Sequence, residues 1–184
     1  MTAAVTVEGG PIRASRGARV RAFVGAVYVG MLGGVTVSRS MALTYILAEG
    51  EAAAAGAVVL SLALIALALL VATLRAARVS VDEDGIRWGW GGVGFRLARK
   101  RVRAIRVYDD AVAVGLTRGS VWYLSARDYT PYPELVAGLA RARFELSHEG
   151  RPAPLAARLQ AYGVALDVLL GFTVLGTTLV FLVA

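Results

Sequence analysis

Residues 52–74, AAAAGAVVLSLALIALALLVATL, run for twenty-three positions without a charge. No other feature constrains the fold as strongly. As a helix rising 1.5 Å per residue the run reaches roughly 34 Å, enough to cross the hydrocarbon core of a bilayer. Two further stretches qualify. AFVGAVYVGMLGGVTV at 22–37 supports a span over about residues 21–41, with Arg39 reaching to the far interface along its apolar stem. VLLGFTVLGTTLVFLVA at 168–184 becomes long enough when residues 162–167 add a turn and a half. The first segment also has the basic flank of a secretory signal, but its apolar run is too long for one, and adjacent arginines of the twin-arginine type are missing; it reads as an anchor.

Composition agrees. The chain is 57% apolar with mean hydropathy +0.62, yet its isoelectric point is near 10.4. That pairing calls for membrane helices plus a basic water-facing part and excludes a single soluble core. Without cysteine there are no disulfides or thiolate metal sites, and one histidine, His148, supplies neither a metal cluster nor an acid/base pair.

The positive charge fixes a topology. With three crossings, nineteen of the twenty basic residues fall on one side, leaving only Arg39 on the other. The positive-inside rule makes that side the cytoplasm, with the N-terminus inside and the C-terminus periplasmic or extracellular, as in a multi-pass protein of the bacterial inner membrane. The domains expected are a cytoplasmic tail at 1–18, a helical hairpin at 19–74, a cytoplasmic domain at 75–150, and a juxtamembrane segment with the third span at 151–184.

Only the insert after the second span has room for a folded core. Its apolar residues alternate: Val79 and Val81; Ile86, Trp88 and Trp90; Phe95 and Leu97; Ile105 and Val107; Val112, Val114 and Leu116; Val121 and Tyr123. Period two punctuated by Asp84-Gly85, Asp109-Asp110 and Arg118-Gly119-Ser120 predicts antiparallel strands joined by tight turns. A helix should follow, capped by Thr130 with Pro131 at its first position, aligning Leu135, Val136, Leu139, Ala140 and Phe144, and stopped by Gly150 and Pro152. The fold class is membrane α-helical with a small α+β domain.

GWGGVG at 89–94 matches the dinucleotide fingerprint G-x-G-x-x-G, and Asp109 or Asp110 stands at the distance of its acidic partner. FRLARKRVRAI can also be written as a helix, with Phe95, Ala98, Val102 and Ile105 aligned. Against this, the insert has no second βαβ unit and continues as antiparallel strands. The motif reads as a glycine-rich hairpin tip with Trp88 and Trp90 on one face. Asp82-Glu83-Asp84 lacks the alternating spacing of a calcium loop and reads as a turn.

Three segments, RVSVDEDGIRW, RKRVRAIRVY and VWYLSARDYTPYPELVAGLARA, give residues 76–146 an order that resembles the bacterial pleckstrin-homology-like (PH-like) membrane proteins. The resemblance implies a bent antiparallel sheet capped by a C-terminal helix and tethered to membrane spans, with no catalytic residues to carry over. Some three-span members assemble photosynthetic complexes, though no diagnostic motif of that branch occurs here. The eukaryotic relatives bind phosphoinositides.

Three constellations remain. Ala22, Ala26, Gly30, Gly34 and Ser38 recur every fourth residue as a helix-packing face, with Gly30 and Gly34 forming a GxxxG pair. Asp167 is an acid at the cytoplasmic edge of the third span, either an ion- or proton-handling group or a partner for Arg19, Arg21, Arg75 or Arg78. Arg96, Arg99, Lys100, Arg101, Arg103 and Arg106 form the densest basic run. Its options are anionic lipid headgroups, an acidic partner, or a solvated face; nucleic acid is not expected, because no aromatics interleave with it. The expected function is that of a non-enzymatic accessory, scaffold or assembly subunit of a larger membrane complex, respiratory or photosynthetic for example, with other membrane subunits as partners and no cofactor. The alternative is a small oligomeric transporter or ion-conducting protein using Asp167.

Overall fold

A computed structural model describes residues 12–46, 51–90 and 93–184. The chain divides into two compact units: the described part of Met1–Arg16 with Ala76–Ala165, and Gly17–Arg75 with Leu166–Ala184.

The second unit is helical. α1 spans Arg16–Ile46, α2 Glu51–Ala76 and α5 Tyr162–Val183, the last beginning in the other unit. Each is long and apolar enough to cross a membrane. Their side chains are distributed the opposite way from a water-soluble bundle. Between the helices, beside the apolar Val29, Val71 and Leu170, lie small or polar residues: Ala26, Ala68, Thr36, Ser61, Thr173 and Thr177, all buried. Outward point Phe23, Met31, Leu62, Phe172 and Leu182, each more than half exposed. Helices apolar all round are what a lipid solvent selects. The inward threonines close hydroxyl bonds within their own helix, Thr36 to the Leu32 carbonyl at 2.9 Å and Thr177 to that of Thr173 at 2.7 Å, whereas the buried Ser61 hydroxyl has no hydrogen-bond partner among the described residues.

The first unit holds two sheets. β1 (Ile12–Ala14), β2 (Arg78–Asp82), β3 (Gly85–Trp90), β4 (Val93–Ala98) and β8 (Tyr129–Thr130) form one, in the order β4-β3-β2-β1-β8. β5 (Val102–Val107), β6 (Ala111–Leu116), β7 (Val121–Ser125) and β9 (Leu146–His148) form the other, in the order β7-β6-β5-β9. The alternating residues behave as period two requires: Val79, Ile86, Leu97, Ile105, Val112 and Leu124 are almost wholly buried in one core. α3 (Tyr132–Arg141) buries Leu135 and Leu139 against it, and a short α4 (Leu155–Leu159) precedes α5.

Several boundaries differ from those expected. The tail at 1–18 contributes β1, which pairs Ile12 with Val79 and Arg13 with Thr130, and α1 begins at Arg16. The folded unit runs to Ala165 rather than 150. Two sheets replace one, and β5 and β9 run parallel. The loop of the β2–β3 hairpin is Glu83-Asp84, one residue before the expected pair, with Asp82 opposite Gly85. Thr130 does not cap α3, because its backbone pairs with Arg13; Pro131 takes the cap position. The helix stops at Arg141, well before Gly150, in a Schellman arrangement: Phe144 N–H bonds the Leu139 carbonyl at 3.1 Å and Arg143 N–H that of Ala140 at 2.9 Å. Arg143 occupies the left-handed position at φ 58°, where glycine is usual.

Candidate functional site

The junction of charges in the helical unit is built by α1, α2 and α5. Arg75, in the last turn of α2, is 2% exposed, and its guanidinium lies 2.7 Å from Asp167 Oδ1 on α5. Arg21 of α1 donates to Oδ2 of the same carboxylate at 3.4 Å. One acid thus ties three helices. Of the four arginines considered as partners, Arg75 and Arg21 reach it. A cation in the last turn of a helix also faces the favourable end of the macrodipole. A carboxylate bonded by arginines from two other helices is the arrangement of a structural lock.

A buried acid elsewhere has no counterpart in the sequence reading. Asp128, 5% exposed, lies in the folded unit with its carboxylate directly against Gly163 in the first turn of α5. Any side chain at Gly163 would collide with it. No sequence pattern flags the pair, since a side chain meets backbone thirty-five residues away.

The small-residue face is resolved into two parts. Ala22 and Ala26 are 2% and 8% exposed. Gly30 is half-buried, while Gly34 and Ser38 are exposed; a methyl group added at Gly30 or Gly34 would meet nothing within 4 Å. The five do not lie along one side. At 3.6 residues per turn a spacing of four drifts by about 40° each step, and about 160° from Ala22 to Ser38. The seam that packs follows alternating steps of three and four: Ala22, Ala26, Val29, Gly33, Thr36 and Ser40. Along that side the close approaches are Gly25, where a Cβ would stand 2.7 Å from Leu170 Cδ1, and Gly33, where it would stand 2.7 Å from Ile65 Cδ1. Tyr28 hydroxyl bonds Thr178 at 2.8 Å beside this seam.

The basic run also divides. Arg96 pairs with Asp84 at 2.8 Å and Arg87 with Asp82 at 3.5 Å, so the acidic turn is held by arginines. Arg99 donates to the carbonyls of Ala142, at 2.7 Å, and Arg143, and stands 4.6 Å over the Phe144 ring. It is a tie for the end of α3. Lys100, Arg101, Arg103 and Arg106 are exposed, and none has an acidic partner within 4 Å among the described residues. Arg99, Lys100 and Arg101 form a 3₁₀ turn rather than the start of a strand. Arg103 sits where the β5–β6 register slips, and with Arg99 and Arg143 it lines a polar cleft of about 260 Å³.

GWGGVG is a hairpin end. β3 and β4 pair from Gly85–Ala98 through Trp90–Val93, with Gly91 and Gly92 outside the described residues. Gly89 (φ +152°) faces Gly94, and a Cβ on Gly94 would come within 2.7 Å of Gly89 Cα. The backbone of these glycines is spent on the ladder, and a strand, not a helix, follows. A phosphate cradle would need a helix N-terminus there.

Comparison of the chain with family models, with curated proteins and with solved structures finds no match in any of the three.

Proposed function

We propose that this chain is a non-enzymatic accessory, scaffold or assembly subunit of a larger membrane complex, built as three spans and a PH-like module. The observation that carries the reading is the unfilled half of α1: Gly30 and Gly34 present open backbone on a helix whose other side already packs. In a bilayer such a surface admits a second helix at close range. The distribution of side chains in the helical unit supports membrane insertion, and the placement of Arg39 against the other nineteen basic residues supports an N-terminus and folded unit in the cytoplasm of a bacterium. The two meanders followed by α3 support the PH-like reading. Lys100, Arg101, Arg103 and Arg106 then offer charge to anionic headgroups or to an acidic subunit, each worth about 1 kcal/mol beside a charged leaflet.

The test is extraction from native membranes in mild detergent, followed by identification of stoichiometric partners, with a photoreactive residue at position 34. Adducts to one other subunit from position 34, lost when Gly30→Leu fills the surface one turn away, are expected. A lone monomer with no adduct sinks the reading.

A further inference from the structure

The register of the five-stranded sheet brings the β3–β4 hairpin tip to the end where the chain departs for its spans. Arg13, Arg78, Gly89 and Gly94 stand opposite one another across four strands. One step outward come Ala14, two residues before α1; Ala77, directly after α2; and Trp90 paired with Val93. Trp88 carries the third connection, its ring 5.2 Å from that of Tyr162, the first residue of α5, edge to face.

Toward this end the apolar face of the hairpin outruns the core. Ile86 and Leu97, paired, are buried. Two residues on, Phe95 opposite Trp88 is 54% exposed; two further, Trp90 is 37% and Val93 74% exposed. The other face carries Arg87 opposite Arg96, both ion-paired. A hairpin end in water is ordinarily polar, and leaving such side chains wet forgoes the gain of burying apolar surface. Tryptophan and tyrosine favour the headgroup level of a bilayer, where an apolar ring and a polar N–H or O–H are both satisfied.

We infer that the β3–β4 hairpin is an interfacial wedge: Trp90, Val93 and Phe95 enter the boundary between headgroups and acyl chains of the bilayer that holds the spans. The occupant of this face is lipid. The inference rests on the membrane reading above, and its residues are distinct from the exposed cations of the 99–106 segment.

The chain has no cysteine, so single labels are clean. Nitroxide is attached to Val93→Cys in the full chain, reconstituted in vesicles of phosphatidylcholine and phosphatidylglycerol. Collision with oxygen, which concentrates in lipid, is compared with collision with a water-soluble nickel chelate. Phe172→Cys, midway along α5, and Val121→Cys, on β7, are the lipid and water references. A Val93 ratio several-fold above that of Val121 and approaching Phe172 is expected. A ratio equal to Val121, with Phe172 in lipid, overturns the wedge, as does a label shielded from both quenchers, the signature of packing against protein. A Phe172 label that reads as aqueous overturns the membrane reading itself. Should the label disturb the hairpin, brominated lipid is used on the native tryptophans: Trp90→Phe should remove a large part of the quenching, and unchanged quenching rejects the wedge.

Discussion

The Arg75 guanidinium lies 2.7 Å from the Asp167 carboxylate while itself 2% exposed, so α2 and α5 are joined by a charge withdrawn from water on one side only. Removing the acid takes a charged partner from a buried cation. Asp167→Asn should therefore destabilise the helical unit by about 1.5–3 kcal/mol, the range of a hydrogen bond to a charged group. That is below the cost of breaking a fully buried pair, because Asp167 is 41% exposed. Unfolding in mixed micelles measures it. Arg75→Met in the same chain should restore part of the loss; a double variant as unstable as the two losses added together would show that the residues do not act as a pair. Flux in proteoliposomes should be unaffected by Asp167→Asn, and its abolition would favour the transport alternative.

The packing of α1 gives a second expectation, because its glycines differ in what surrounds them. Gly25→Val and Gly33→Val push into Leu170 and Ile65 and should each cost about 1–3 kcal/mol through overpacking. Gly34→Ala meets open space and should leave the fold within about 0.5 kcal/mol or improve it slightly through helix propensity. The same unfolding assay separates them, and equal losses at all three positions would reject the assignment of faces.

How far these features were legible follows from the physics of each. The helices were legible because length and absence of charge suffice, whatever their neighbours. The strands around Ile86, Val112 and Leu124 were legible because alternation is local. β1 was not: three residues carry no period, and Ile12 pairs with Val79 across two long helices that lie between them in the chain. The small-residue face was misplaced because a four-residue step resembles a helical repeat over two turns and drifts over five. Arg99 looked like a free cation in the run, while its carbonyl partners at Ala142 and Arg143 lie beyond four strands and a helix.

The hairpin supplies a sharper test of the glycine motif. Gly94→Ala would place a Cβ 2.7 Å from Gly89 Cα, where neither backbone can retreat without parting the ladder. A loss of about 2–4 kcal/mol, within the range reserved for special backbone positions, is expected from thermal unfolding. Nucleotide should not protect the unvaried chain from that unfolding, and a rise in Tm with added dinucleotide would revive the phosphate-loop reading.

Tyr132 carries the pH dependence. Its hydroxyl donates to the Tyr108 carbonyl at 2.7 Å; burial, helped by Asp110 and Asp109, raises its pKa from 10.0 to about 12. The unfolded chain loses this proton first, so the contribution to stability is fully present below about pH 10 and is lost as pH rises through about 12. Titration of tyrosinate absorbance should show one group ionising last, absent in Tyr132→Phe. An ordinary titration for every tyrosine would contradict the burial of this hydroxyl.

The end of α3 yields the last expectation. Arg143 holds a left-handed backbone at φ 58°, a conformation that costs a side-chain-bearing residue about 1–2 kcal/mol. Arg143→Gly relieves that strain, offset by about 0.5–1 kcal/mol of extra freedom in the unfolded chain. The net should be a gain of a few tenths to about 1 kcal/mol. Arg99 bonds the Arg143 carbonyl, not its side chain, so the tie to Phe144 survives the change. What is given up is one of the three arginines lining the cleft beside β5. A natural sequence that forgoes an available gain at a helix end is consistent with use of that guanidinium. Binding to vesicles of rising anionic lipid content measures the use: Arg143→Gly should be more stable yet bind more weakly. Higher stability with unchanged binding would leave Arg143 as strain without a return.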